Sequence, residues 1–269
     1  DNKVFDYIGS ASHSKNVIGE CCVLSVLMDS KNNLYVGTDN DGIYVLDKQC
    51  RMVEHYQRES LSSLVPNATL CIFEDSRHRI WVGGYMSGLV CLDPATRRFS
   101  RISLMGPSNG DPIPSVYDIV EDNEGGYIYA SASGVGVYKI DVNTLATSLF
   151  DVKDPSLLHD FSQNQINNTW INCLTVSKDR KLYIGTYSGF TCMDIPTENF
   201  VDTYGRNCFL EGVIVNSIFE DTDKHIWLGT NSGLYDFSPS DRSFTHYDVA
   251  DGLPSVFVSA ISGANDGNL

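Results

Sequence analysis

The sequence predicts an all-β fold, a β-propeller of four-stranded antiparallel blades. Three observations predict it: a unit that recurs at blade length, strands that are apolar almost without interruption, and polar turns at fixed places between them.

Five segments align: VLSVLMDSKNNLYVGTDNDGIYVLD from Val23, TLCIFEDSRHRIWVGGYMSGLVCLD from Thr69, SVYDIVEDNEGGYIYASASGVGVYKID from Ser115, INCLTVSKDRKLYIGTYSGFTCMD from Ile171 and VNSIFEDTDKHIWLGTNSGLYDF from Val215. The small residue after the aromatic dipeptide (Gly37, Gly83, Ser131, Gly185, Gly229) recurs at intervals of 46, 48, 54 and 44 residues. Propeller blades have about this period. One propeller domain over 1–269 is expected, with repeats at about 23–56, 69–102, 115–150, 171–204 and 215–247 and a partial one at 259–269. Val4–Tyr7 (VFDY) reads as the fourth strand of a preceding blade, so the expectation is a stretch of a longer repeat array. An incomplete ring leaves unpacked faces that self-association or homodimerisation would cover.

Within each unit the first strand is an apolar run (Val23–Met28) ending at a polar turn (Asp29–Asn33). The second carries an aromatic and the small residue (Leu34–Thr38), and a short Gly-containing loop leads to the third (Ile43–Asp47). A fourth, aromatic segment closes the unit (Met52–Tyr56, Phe99–Ile102, Phe244–Tyr247). Continuous apolar strands suit sheets covered on both faces. Tyr35, Trp81, Tyr129, Tyr183 and Trp227 share one register position and are expected in the core between blades, where a glycine lets neighbouring sheets approach.

Register also reads the cysteines. Cys71 and Cys173 occupy equivalent first-strand sites, and Cys91 and Cys192 lie on third strands. Two strand spacings, roughly 9–10 Å, exceed the ~7 Å Cα limit of a disulfide, so these are expected as buried thiols. The first hairpin turns, EDSRHR (Glu74–Arg79), EDNEGG (Glu121–Gly126), SKDRK (Ser177–Lys181) and EDTDKH (Glu220–His225), read as solvated turns and lack the spacing of a calcium loop. No metal site and no cofactor is expected.

A formal net charge of −15 repels phosphate backbones and anionic lipid, which argues against nucleic acid and direct membrane contact for this segment. Nucleophile elbows, H-E-x-x-H helices and phosphate-cradling Gly-rich loops do not occur, and the six histidines (13, 55, 78, 159, 225, 246) are scattered. No catalytic residue is assigned, and the segment is read as non-enzymatic.

In a four-stranded meander the loops between strands two and three emerge beside the inter-blade linkers. Long linkers are confined to that face: Gln57–Ala68, Ser103–Pro114, Val152–Trp170, Gly205–Ile214 and Asp248–Val258. Aromatic faces beside amides suit a sugar, and the candidate ligand-binding residues are Tyr85, Tyr187, Asn231, Asn168 and Trp170. Trp170 borders a first strand, a position equally compatible with core.

SIFEDTDKHIWLGTNSGLYDFSP (Ser217–Pro239) and CIFEDSRHRIWVGGYMSGLVCLDP (Cys71–Pro94) resemble the two-component regulator propeller repeat, and HYDVADGLPS (His246–Ser255) is similar to the linker between such repeats. The third repeat departs most, with Ser131 for glycine and GVGVYKID at Gly134–Asp141. The resemblance implies the periplasmic sensor region of a hybrid two-component system in a glycan-degrading bacterium: paired seven-bladed propellers, an immunoglobulin-like domain, a membrane helix, and a cytoplasmic histidine kinase with a DNA-binding regulator. The sequence read here corresponds to none of the later parts. The implied ligand is an oligosaccharide released from a polysaccharide, and the implied mechanism is a shift in the arrangement of paired sensors. No ligand motif transfers from the family. Two other classes stay open: a protein-interaction platform, which would ignore sugars and retain a protein partner, and a propeller glycoside hydrolase or lyase with a loop carboxylate.

Overall fold

The computed structural model describes residues 18–58, 63–104, 113–122, 124–151, 166–205 and 208–263. The strand expected at Val4–Tyr7, His13, His159, parts of four linkers and the end of the sixth repeat lie outside the described residues.

Among the described residues the chain forms twenty strands and one 3-10 turn, Val249–Asp251. Blade 1 comprises β1 (Val23–Met28), β2 (Leu34–Thr38), β3 (Ile43–Leu46) and β4 (Met52–Tyr56). Blade 2 comprises β5 (Thr69–Glu74), β6 (Ile80–Gly84), β7 (Gly88–Asp93) and β8 (Arg98–Arg101). Blade 3 follows with β9 (Val116–Asp122), β10 (Tyr127–Ala132), β11 (Gly136–Asp141) and β12 (Thr147–Asp151). Blade 4 is β13 (Ile171–Val176), β14 (Lys181–Thr186), β15 (Phe190–Asp194) and β16 (Asn199–Tyr204), and blade 5 is β17 (Val215–Glu220), β18 (Ile226–Thr230), β19 (Gly233–Ser238) and β20 (Ser243–Tyr247). Each is a four-stranded meander in chain order, so the fold is all-β and built of propeller blades. The first and third turns of a blade share one end of its sheet, the turn end; the β2–β3-type loop and the linkers share the other, the loop end.

The chain divides into two compact units between Ile119 and Val120. In the first, Tyr35 and Val45 of blade 1 pack with Ile72, Val82 and Val90 of blade 2. In the second, Tyr129 and Val137 pack with Leu174, Ile184 and Met193, and Tyr183 and Cys192 with Leu228, Tyr235 and Phe237. Burying each of these large side chains stabilises by about 1.5–3 kcal/mol. Tyr35, Trp81, Tyr129 and Tyr183 are buried as the repeat register predicts. Trp227 is half-buried, its indole stacked on Tyr247 at 5.9 Å.

The small residue of the second strand works by space. A Cβ on Gly83 would lie 2.5 Å from Cys71 Sγ and 2.7 Å from the Val116 carbonyl oxygen; on Gly185 it would lie 2.4 Å from Cys173 Sγ. The third residue of the first strand then bridges to the next first strand. Ser25 Oγ donates to the Thr69 carbonyl at 3.1 Å, Cys71 Sγ to that of Val116 at 3.5 Å and Cys173 Sγ to that of Val215 at 3.8 Å. Val258 takes the same place after blade 5: its carbonyl accepts Asn216 Nδ2 at 3.0 Å, as that of Val215 accepts Asn172 Nδ2 at 3.2 Å.

The first turns depart from the solvated reading. Their leading aspartates Asp29, Asp75 and Asp122 are buried. Asp75 Oδ1 accepts the main-chain N–H groups of Arg77 and Arg79, while Oδ2 accepts Arg79 Nε at 2.7 Å and the Trp81 indole at 2.8 Å. Asp221 repeats this with His225 N–H and the Trp227 indole. The carboxylate closes the turn and satisfies the core indole, and the hydrogen bonds it accepts together offset the cost of taking its charge out of water.

Candidate functional site

The loop ends are shaped by two small residues. Thr38, Thr186 and Thr230, all fully buried at the end of the second strand, donate from Oγ1 to the carbonyls of Gly42, Gly189 and Gly233 at 3.0, 2.9 and 2.8 Å. The glycine is obligatory twice over. Gly189 has φ of 80°, and a Cβ there would lie 1.8 Å from the Tyr204 carbonyl oxygen.

Between them, the residue after the threonine, or after Gly84 in blade 2, faces the start of the blade. The N–H groups of Asp39, Tyr85, Tyr187 and Asn231 donate to the carbonyls of Cys22, Ala68, Trp170 and Ile214 at 3.0, 3.0, 3.0 and 3.1 Å. Where this residue has a short side-chain acceptor, it closes the bridge from both sides: Asp39 Oδ1 takes Cys22 N–H at 3.0 Å, and Asn231 Oδ1 takes Ile214 N–H at 2.9 Å. A tyrosine cannot fold back in this way and stands out instead. Tyr85 is 54% exposed and Tyr187 43%.

In the second unit the main-chain bridge brings two predicted residues together. Trp170 is 55% exposed, which removes the core alternative, and its ring lies 6.1 Å from that of Tyr187 at 35°. Asn168 Oδ1 accepts the Trp170 N–H at 2.8 Å, so Asn168 orients the tryptophan and its carbonyl oxygen is already engaged. In the first unit Tyr85 stands beside Met86, also exposed, whose N–H donates to Ser115 Oγ at 2.9 Å.

Phe209 escaped the sequence reading. It lies in the Gly205–Ile214 linker, 57% exposed, with its ring stacked on Tyr235 at 6.0 Å, and Tyr235 stacks in turn on His246 at 4.3 Å. An aromatic within one of the long linkers was the available signal. The four described histidines are held by neighbours: His55 and His246 meet the Asp41 and Ser232 carbonyls at 2.9 and 2.7 Å, His78 meets Glu74 at 3.0 Å, and His225 meets Asp236 at 2.7 Å. Tyr44, stacked on His55 and hydrogen-bonded to Asp41, is pushed up to about 12 by burial and by that bond. All eight cysteines are free, and burial pushes the Cys91 and Cys192 thiols up to about 12, as expected of inert core residues. No cluster of metal-binding side chains occurs among the described residues, and no described helix is long and apolar enough to cross a membrane.

Residues 63–86 and 210–232 match the model of the two component regulator propeller. Two stretches of the chain are thus similar to the two-component regulator propeller repeat. The matched repeats include Tyr85 and Asn231, the equivalent loop residues described above. No curated protein matches the sequence significantly. Among solved structures, the extracellular domain of a hybrid two component system from B. thetaiotaomicron is 23% identical with a TM-score of 0.75, over 93% of this chain and 31% of that one. A second such domain from the same organism is 18% identical with a TM-score of 0.69, over 98% of this chain and 31% of that one. Virginiamycin B lyase from Staphylococcus aureus is 11% identical with a TM-score of 0.69, over 91% and 76%. The chain thus spans about a third of the length of the extracellular domains it matches, and these likenesses are of fold.

Proposed function

We propose that this chain is part of the extracytoplasmic, periplasmic sensor region of a two-component signalling receptor and that it binds an oligosaccharide without turning it over. The observation that carries the reading is the exposed Trp170–Tyr187 pair, whose rings lie 6.1 Å apart at a loop end. Two tilted aromatic faces beside linker amides offer apolar surface to sugar ring faces and hydrogen bonds to their hydroxyls. The similarity to the two-component regulator propeller repeat supports the signalling half of the reading.

The test is thermal unfolding against a panel of oligosaccharides, where a ligand at 100-fold over Kd adds about 2.7 kcal/mol. A selective rise with one glycan class, lost in Trp170→Ala, supports the reading; a flat response across the panel refutes the ligand class.

A second reading, protein interaction, draws on β1. Val26 is 62% exposed, whereas Ile72 and Leu174 at the same register position are buried, and Val23, Leu24 and Met28 are exposed beside it. A row of this kind is a candidate contact for a second copy of the chain. Concentration-dependent association in sedimentation, abolished by Val26→Glu, is its expected signature.

A further inference from the structure

The turn ends of blades 4 and 5 enclose a cleft of about 260 Å³, at the opposite end of these sheets from Trp170 and Tyr187. It arises where blade 4 departs from its sister blades. In blades 1, 2, 3 and 5 the first turn opens on an aspartate: Asp29, Asp75, Asp122 and Asp221. A side chain four residues on pairs with it in two of them, Asn33 Nδ2 with Asp29 at 2.8 Å and Arg79 Nε with Asp75 at 2.7 Å. Blade 4 has Ser177 and Lys181 at these two positions. Ser177 Oγ is too short to take the carboxylate's place and accepts the Lys181 main-chain N–H at 3.1 Å.

The Lys181 ammonium makes no hydrogen bond and no ion pair within 4.0 Å among the described residues. Its charged neighbours are engaged elsewhere. Asp179 holds Lys224 with both oxygens at 2.9 and 3.0 Å, Asp202 holds Arg242 at 3.1 Å, and Asp236 holds His225 at 2.7 Å. Asp194, opposite Lys181 on β15, takes the Thr197 hydroxyl. Glu220 Oε2 accepts the Lys178 N–H at 2.8 Å, and Glu220 and Asp223 line the cleft together with Lys181.

We propose that this cleft binds a small polyhydroxylated monocarboxylate. Its carboxylate takes the position that the sister aspartates occupy and pairs with Lys181, while its hydroxyls donate to Glu220 and Asp223. Those two carboxylates also repel a second negative charge on the ligand. The volume, just below the roughly 300–1,000 Å³ of drug-sized pockets, holds the occupant to about one sugar ring.

The probes are glucuronate and its uncharged counterpart glucose, read by calorimetric titration and thermal unfolding of the protein. Glucuronate is expected to bind and glucose to bind at least about tenfold more weakly. Lys181→Met removes the cation, and Ser177→Asp restores the repeat's own carboxylate and neutralises Lys181 internally, so both are expected to abolish glucuronate binding while Trp170→Ala leaves it unchanged. Should Lys181→Met fail to fold, Ser177→Asp carries the test. Absence of glucuronate binding, binding that survives both substitutions, or binding lost in Trp170→Ala would each overturn the proposal.

Discussion

Arg180 at the turn end of blade 4 reaches Asp122 of blade 3 with two parallel hydrogen bonds, Nη2 to Oδ2 at 2.6 Å and Nε to Oδ1 at 3.1 Å. Asp122 is buried, so the pair is a tie between neighbouring sheets and not a surface contact. The carboxylate oxygens that Asp75 gives to its own blade are given by Asp122 to the next one. Arg180→Met is expected to strand a buried carboxylate and lower the thermal midpoint by several degrees. Lys224→Met, at an exposed pair with Asp179, is expected to change it little. Parallel melting curves compare the two.

Trp81→Phe keeps most of the buried ring but removes the indole donor to Asp75 Oδ2. The expected loss is about 1–3 kcal/mol, with Asp75→Ala costing more because three further donors lose their acceptor. Urea midpoints at constant m-value measure both; equal stability of Trp81→Phe and wild type would rule out the indole's role in closing the turn.

Gly189→Ala and Gly134→Ala separate strain from collision. Both glycines have φ near 80°, but nothing lies within 4 Å of a Cβ at Gly134, whereas one at Gly189 would meet the Tyr204 carbonyl. Gly134→Ala is expected to cost about 1–2 kcal/mol from the left-handed backbone alone. Gly189→Ala should cost more and disturb the loop carrying Tyr187, visible as a weakened response to any oligosaccharide that the wild type binds.

His225 is held as a charged donor by Asp236, which raises its pKa above the ordinary 6.5 despite some desolvation. The stabilisation from this pair is fully present below about pH 6.5 and is lost as the pH rises through the higher folded value. His225→Gln is therefore expected to destabilise more at about pH 5.5 than at about pH 9. Denaturant curves at the two pH values measure the difference; an equal deficit at both would show that the imidazolium charge contributes nothing.

The sequence by itself determined the blades. Apolar runs, the aromatic before the small residue and the turn residues recur because every blade must cover the same two faces and pass the same turns, and a requirement met five times leaves a period in the residues. It also placed Tyr85, Tyr187 and Asn231 at one repeat position, on loops that a meander carries to the linker end.

Tertiary structure alone decided which of those residues are free to meet a ligand. Asn231 and Asn168 turn their carbonyl oxygens onto neighbouring N–H groups, while Tyr187 and Trp170 remain exposed side by side. The same holds at the turn ends, where hydropathy reads Asp75 and Asp122 as solvated but the folded chain buries them against an indole and a guanidinium. Whether a polar side chain faces water depends on partners that sit turns or whole blades away, and residue type carries no record of them.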